Sequence, residues 1–129
     1  MNTSEATTAG VRVQAQSHYV AQRSSPERSF FFFAYQIIIT NEGTVPVKLL
    51  SRHWMITDGT GNTDEVRGPG VVGEQPLLSS GQSFSYTSAC TLQTPVGTMQ
   101  GTYQMLSQDG TRFDAEVAPF GLSYEEGLN

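Results

Sequence analysis

From Phe30 to Thr40 the chain alternates with a period of two. Phe31, Phe33, Tyr35, Ile37 and Ile39 share one face, and Phe32, Ala34, Gln36, Ile38 and Thr40 share the other. No other segment restricts the fold as much. The run is aromatic and β-branched, which suits a pleated, packed surface rather than a helix. It falls short of the ~20 apolar residues a membrane-spanning helix needs, and Gln36 interrupts it. It is expected to be a core strand, central in its sheet and covered on both sides for part of its length, because its second face is mixed rather than polar.

The same period recurs elsewhere. Val11, Val13 and Ala15 alternate with Arg12, Gln14 and Gln16, giving a half-buried first strand. Val47 to Thr57 places Leu50, Trp54 and Ile56 on one face. The turn Asp58-Gly59-Thr60-Gly61-Asn62 then leads into a short strand from Thr63 to Arg67. Gln82 to Cys90 puts Phe84, Tyr86, Ser88 and Cys90 together, and Thr98 to Ser107 pairs through Asp109-Gly110 with Thr111 to Val117. Pro119 is expected to end that last strand. A single sheet of about seven such strands would leave one apolar face wet, so the expected class is all-β, with two antiparallel sheets packed as a sandwich. The expected organisation is a flexible N-terminus over residues 1–10, one domain over 11–122 and a flexible tail over 123–129.

A chain of 129 residues fits one core that buries about two-thirds of the unfolded surface. Seven Lys and Arg against twelve Asp and Glu give a net charge of −5, and the basic residues stand singly, which argues against general nucleic-acid binding. Cys90 is alone, so no internal disulfide forms, and Met1 to Gly10 is polar, without the apolar centre of a signal peptide. These features point to a cytoplasmic protein with no membrane insertion.

Gly68-x-Gly70-x-x-Gly73 matches the spacing of a dinucleotide-binding loop, but that chemistry needs a helix after the glycines, and Pro76 with Ser79-Ser80-Gly81 breaks the chain before one could form. No lysine follows Gly73, so the P-loop pattern fails too. Two readings stay open. Arg67, Gly68, Gly70 and Gly73 could form an anion nest for pyrophosphate or nucleotide phosphates, with Arg52 and His53 nearby. Alternatively, the glycines serve positive φ or close strand approach in an inter-sheet connection.

Five ordered segments carry a family resemblance: Leu50 to Gly59, Glu65 to Pro76, Tyr86-Thr87-Ser88, Gly97 to Met105, and Asp109-Gly110 with Phe113. Together they resemble the bacterial ApaG family, from about Val11 to Leu122. Ala89 and Ser80 depart from it where the family often has glycine and proline. The resemblance implies a fibronectin type III or immunoglobulin-like sandwich. It implies a link to diadenosine tetraphosphate metabolism and to cobalt and magnesium efflux, where the family is also called CorD, but it brings no catalytic residue. Similar domains in eukaryotic F-box proteins and in a DNA-polymerase-delta-interacting protein are thought to recognise proteins. By analogy the chain is expected to be a non-enzymatic binding module with a protein partner still to be identified.

The remaining candidates are weaker. Asp58, Asp64 and Glu65 offer hard oxygen ligands around one turn but fit no calcium-loop spacing, and His18, His53 and Cys90 are too scattered for zinc. No metal or cofactor is therefore assigned. Serines 79, 80, 83, 85 and 88 sit in turns and strands without a nucleophile elbow, and Cys90 is expected to be a buried thiol. Tyr19, Arg52, Trp54 and Arg67 are the residue types that anchor protein interfaces, although Trp54 also suits the core. Free sheet edges are compatible with a homodimer.

Overall fold

The structure, a computed structural model, describes residues 2–124. It is an all-β sandwich of two antiparallel sheets. The first sheet has the order β1-β2-β3-β7, from β1 (Thr3–Thr8), β2 (Val11–Tyr19), β3 (Phe31–Asn41) and β7 (Ser83–Leu92). The second has the order β5-β4-β8-β9, from β4 (Val47–Asp58), β5 (Thr63–Pro69), β8 (Val96–Ser107) and β9 (Arg112–Ser123). The short β6 (Leu77–Leu78) also pairs with β4. Two single turns of 3-10 helix, Ala21–Arg23 and Pro26–Arg28, lie between β2 and β3.

Alternation decides what is inside. The odd face of β3 is buried from Phe31 to Ile39, as are Val11, Val13 and Ala15 of β2. From the second sheet come Trp54, Met99, Tyr103, Met105, Val117, Phe120 and Leu122. β3 is central, between β2 and β7, but its even face is only partly covered. Arg23 supplies some of that cover, with its guanidinium 4.5 Å from the centroid of Phe32.

Three expectations need correction. Residues 2–10 are not a flexible lead: Thr3–Thr8 is an edge strand in register with β2 from Thr3–Gln16 to Thr8–Val11. Its inward positions are Ser4, Ala6 and Thr8, too small and polar to give a hydrophobic signal. The backbone ladder holds it, as do Ser4 Oγ donating to the Ala118 carbonyl and Glu116 N–H donating to Thr8 Oγ1. Second, β9 does not stop at Pro119. The register shifts opposite Met99 to Gly101, so Pro119 sits in a bulge on an edge strand, where its missing N–H is tolerated. The strand then continues to bury Phe120 and Leu122, and of the expected tail only Ser123 and Tyr124 lie within the described residues. Third, a bulge at Leu50 moves that residue out of step, and Leu49, fully buried, takes the place expected for it beside Trp54.

Candidate functional site

The glycine segment is neither a helix entry nor a row of free amides. Gly68 lies within β5 opposite Arg52, and a Cβ there would come within 3.0 Å of the guanidinium, so glycine lets Arg52 lie flat on the strand. Arg52 then donates to the carbonyls of Pro69 (3.1 Å) and Gly70 (2.9 Å). Gly70 has φ +61°, and a Cβ there would meet the Glu74 carbonyl at 2.3 Å. Beyond it, Val71 and Glu74 exchange two backbone hydrogen bonds of 2.8 Å around Val72 (φ 42°) and Gly73 (φ 83°), a two-residue type I′ turn. The amides of Gly70, Val71 and Glu74 are thus donated within the protein. Arg67 points to the opposite face from Arg52, where it and His53 share one oxygen of Glu65, at 3.2 and 2.8 Å. Arg67 and Gly68 line one open cavity of about 610 Å³ together with Arg52 and His53, but Gly70 and Gly73 lie outside it, so the four loop residues do not converge on one point.

The metal candidates also separate. Asp58 Oδ1 accepts from the Thr60 amide and hydroxyl and from the Asn62 amide, and the Thr60 hydroxyl chiefly lowers its pKa. Glu65 is committed to His53 and Arg67, its carboxyl lowered first by the His53 hydrogen bond. Among the described residues no group of three His, Cys, Asp or Glu side chains could hold an ion. Cys90 is partly buried on the inner face of β7, and burial pushes its thiol up to about 12, which keeps it protonated at neutral pH.

The sheet edges are more informative. β9 lies against both β1 and β2, which closes one side of the sandwich. On the other side β5 and β7 are both edges, and no such packing joins them. β5 carries Asp64, Glu65, Arg67 and Pro69, the charges and proline that discourage strand addition. β7 carries none: Ser83-Phe84-Ser85-Tyr86-Thr87-Ser88-Ala89-Cys90-Thr91-Leu92 has no charge and no proline, and its pairing with β3 has no bulge. Asn41 N–H donates to the Gln82 carbonyl at the start of this ladder. By alternation Ser83, Ser85, Thr87, Ala89 and Thr91 therefore turn their N–H and C=O groups toward the open edge. The sequence holds a signal for this surface that motif reading passes over: between Glu74 and Asp109 no residue is charged.

Behind that edge the inner residues are less covered than elsewhere. Phe84 and Cys90 of β7 and Ile56 of β4 pack only partly into the core, and Val66 of β5, the cross-strand partner of Trp54 on the inner face, is 40% exposed. Deeper in, the hydroxyls of Tyr86 and Tyr103 hydrogen-bond across the two sheets.

A family model for the ApaG domain matches residues 21–107, and a Protein ApaG from Azoarcus sp. is 54% identical over 98% of this chain and 99% of its own. The chain belongs to the ApaG family. A second Protein ApaG, from Aromatoleum aromaticum, is 53% identical over 92% of this chain and 94% of its own. In the crystal structure of a Bordetella pertussis protein described as ApaA the fold recurs with a TM-score of 0.88 at 46% identity, covering 90% of this chain and 94% of that one. The ApaG domain match takes in β3 to β8, and with them both open edges and the glycine segment; β1, β2 and β9 lie outside it.

Of the residue types expected as interface anchors, Trp54 is core, 3% exposed. Tyr19 belongs to an aromatic cluster with Phe31, Phe33 and Tyr124, and Arg52 turns inward. Only Arg67 stands out on the surface.

Proposed function

We propose that this ApaG-family protein acts without catalysis, in the cytoplasm, by recognising a partner protein through strand addition at β7, in a process tied to cobalt and magnesium efflux. The observation that supports this is the β7 edge: ten consecutive residues, five of which turn backbone groups outward, with no strand beside them among the described residues and no charge, proline or bulge to turn one away. The efflux link comes from the family resemblance. The non-enzymatic reading likewise comes from the family resemblance, which brings no catalytic residue, and no helix among the described residues is long and apolar enough to cross a membrane.

Complementation tests the reading. Cells lacking the gene are challenged with Co²⁺ and supplied with wild type, Thr87→Pro or Arg67→Ala. Thr87→Pro removes one outward N–H and no bond to β3, so the purified variant should keep the fold. Wild type and Arg67→Ala are expected to restore tolerance, and Thr87→Pro is not. Full restoration by Thr87→Pro would remove the edge from consideration. If only Arg67→Ala fails, the phosphate-binding role for residues 67–73 takes its place. Turnover of ATP or diadenosine tetraphosphate by pure protein would end the non-enzymatic reading.

A further inference from the structure

β7 is the last strand of its sheet. β9 is set against both β1 and β2, whereas on the open side no comparable packing joins β5 to β7 among the described residues, which leaves part of the inner face of β5 as an overhang. The result is visible in single residues. Val66 faces inward yet is 40% exposed, and between the start of β5 and the end of β7 a cavity of about 320 Å³ opens beside Ile56, Asp64, Leu92 and Gln93. A strand hydrogen-bonded to β7 would stand over this overhang, with every second side chain pointing at it.

The overhang has an electrical order. Along the inner face of β4 and β5 the paired positions are Arg52 with Gly68, Trp54 with Val66, and Ile56 with Asp64. At one end Arg52 spends donors on two carbonyls and meets no carboxylate among the described residues. At the other end Asp64 is exposed and has no cationic partner among them. Between these charges lie Val66 and Ile56, both only partly covered. Arg52 and Ile56 are four residues apart on one strand, about 13 Å.

We propose that the partner supplies a further strand, antiparallel to β7, with a basic residue over Asp64, an aliphatic residue over Val66 two positions later and an acidic residue over Arg52 two positions after that. The direction follows from the sheet, whose pairings are all antiparallel, and from β7 running toward the Asp64 end, where Thr91 and Leu92 line the same cavity as Asp64. This rests on the β7 reading above and adds to it the chemistry of the segment recognised: a basic-x-aliphatic-x-acidic strand whose outward side chains are uncharged.

Two synthetic peptides of identical composition test it, Ac-Thr-Lys-Thr-Val-Thr-Glu-Thr-NH₂ and the form with Lys and Glu exchanged, each titrated into ¹⁵N-labelled protein. The first is expected to shift the amides of β7 and Val66, and to bind about tenfold more tightly than the second, since exchange sets like charges together at both ends. Asp64→Lys, a change at an exposed position, should abolish or invert that preference. Thr87→Pro should remove binding of both. Equal binding of the two peptides at β7 overturns the charge order and leaves the edge reading standing. No shift at β7 with either peptide overturns the inference, and complementation by Thr87→Pro then decides whether the edge reading falls as well. Sedimentation that shows a dimer without peptide, lost in Thr87→Pro, would make a second copy the occupant and also overturn it.

Discussion

Val72 is the residue whose conformation fits its chemistry least. A β-branched side chain at φ 42° is an outlier that costs of order 1–3 kcal/mol, and Val72 is 55% exposed, so little burial offsets it. Val72→Asn restores the Asn-Gly pair that a type I′ turn favours, and should raise the melting temperature by about 4 °C. Calorimetry at neutral pH decides this; a lower melting temperature would mean the valine side chain holds the loop in some other way. The Tyr86–Tyr103 hydrogen bond gives a second prediction at this scale. Tyr103→Phe strands a buried hydroxyl and should cost about 1–3 kcal/mol in urea unfolding, whereas Tyr86→Phe combined with Tyr103→Phe should cost less than the two singles together. Neither the strain nor the hydroxyl pair is legible in the sequence. Positive φ at Val72 is imposed by the pairing of Val71 with Glu74, and the tyrosines are 17 residues apart on different sheets.

Strands that bury large side chains announced themselves, while strands that bury small ones did not. β3 was legible from end to end, because five large apolar residues fall on one face. β1 gives no such signal because its inward residues are Ser, Ala and Thr, and hydrogen bonds hold it instead. Removing residues 1–8 therefore has a definite expected cost. At about 0.5–1.5 kcal/mol per hydrogen bond, losing the β1–β2 ladder should lower stability by more than about 3 kcal/mol and expose β2 as a new edge. Denaturant titration of the truncated chain checks this; unchanged stability would mean that β1 merely rests on the fold. Bulges were the other blind spot. Alternation carried across Leu50 assigned the wrong leucine to the core, because one extra residue inverts every position after it.

For the molecule as a whole, the sandwich and its family were legible and the candidate edge was not, because an edge is defined by what fails to pair with it. The glycine motif stands out on spacing alone, but the Gly70 amide is donated to the Leu50 carbonyl and those of Val71 and Glu74 close the turn. The core also sets how stability responds to alkali. Burial raises the pKa of Cys90 to about 12 from an ordinary value of 9, and it raises those of Tyr86 and Tyr103 as well. Above about pH 9 the unfolded chain releases these protons before the folded one does, so stability should fall as pH rises from there. The urea midpoint should thus drop steadily above pH 9, and Cys90→Ala should make the decline shallower. A midpoint indifferent to alkali would show that these groups titrate freely in the native protein.

Trp54 is the chain's single tryptophan, set edge-on to Tyr35 of one sheet and to Tyr103 and Phe120 of the other. Its fluorescence is therefore an internal gauge of contact between the sheets. Native emission should be blue-shifted, and its move to the red should report the moment the two layers part, whichever end of the molecule loosens first.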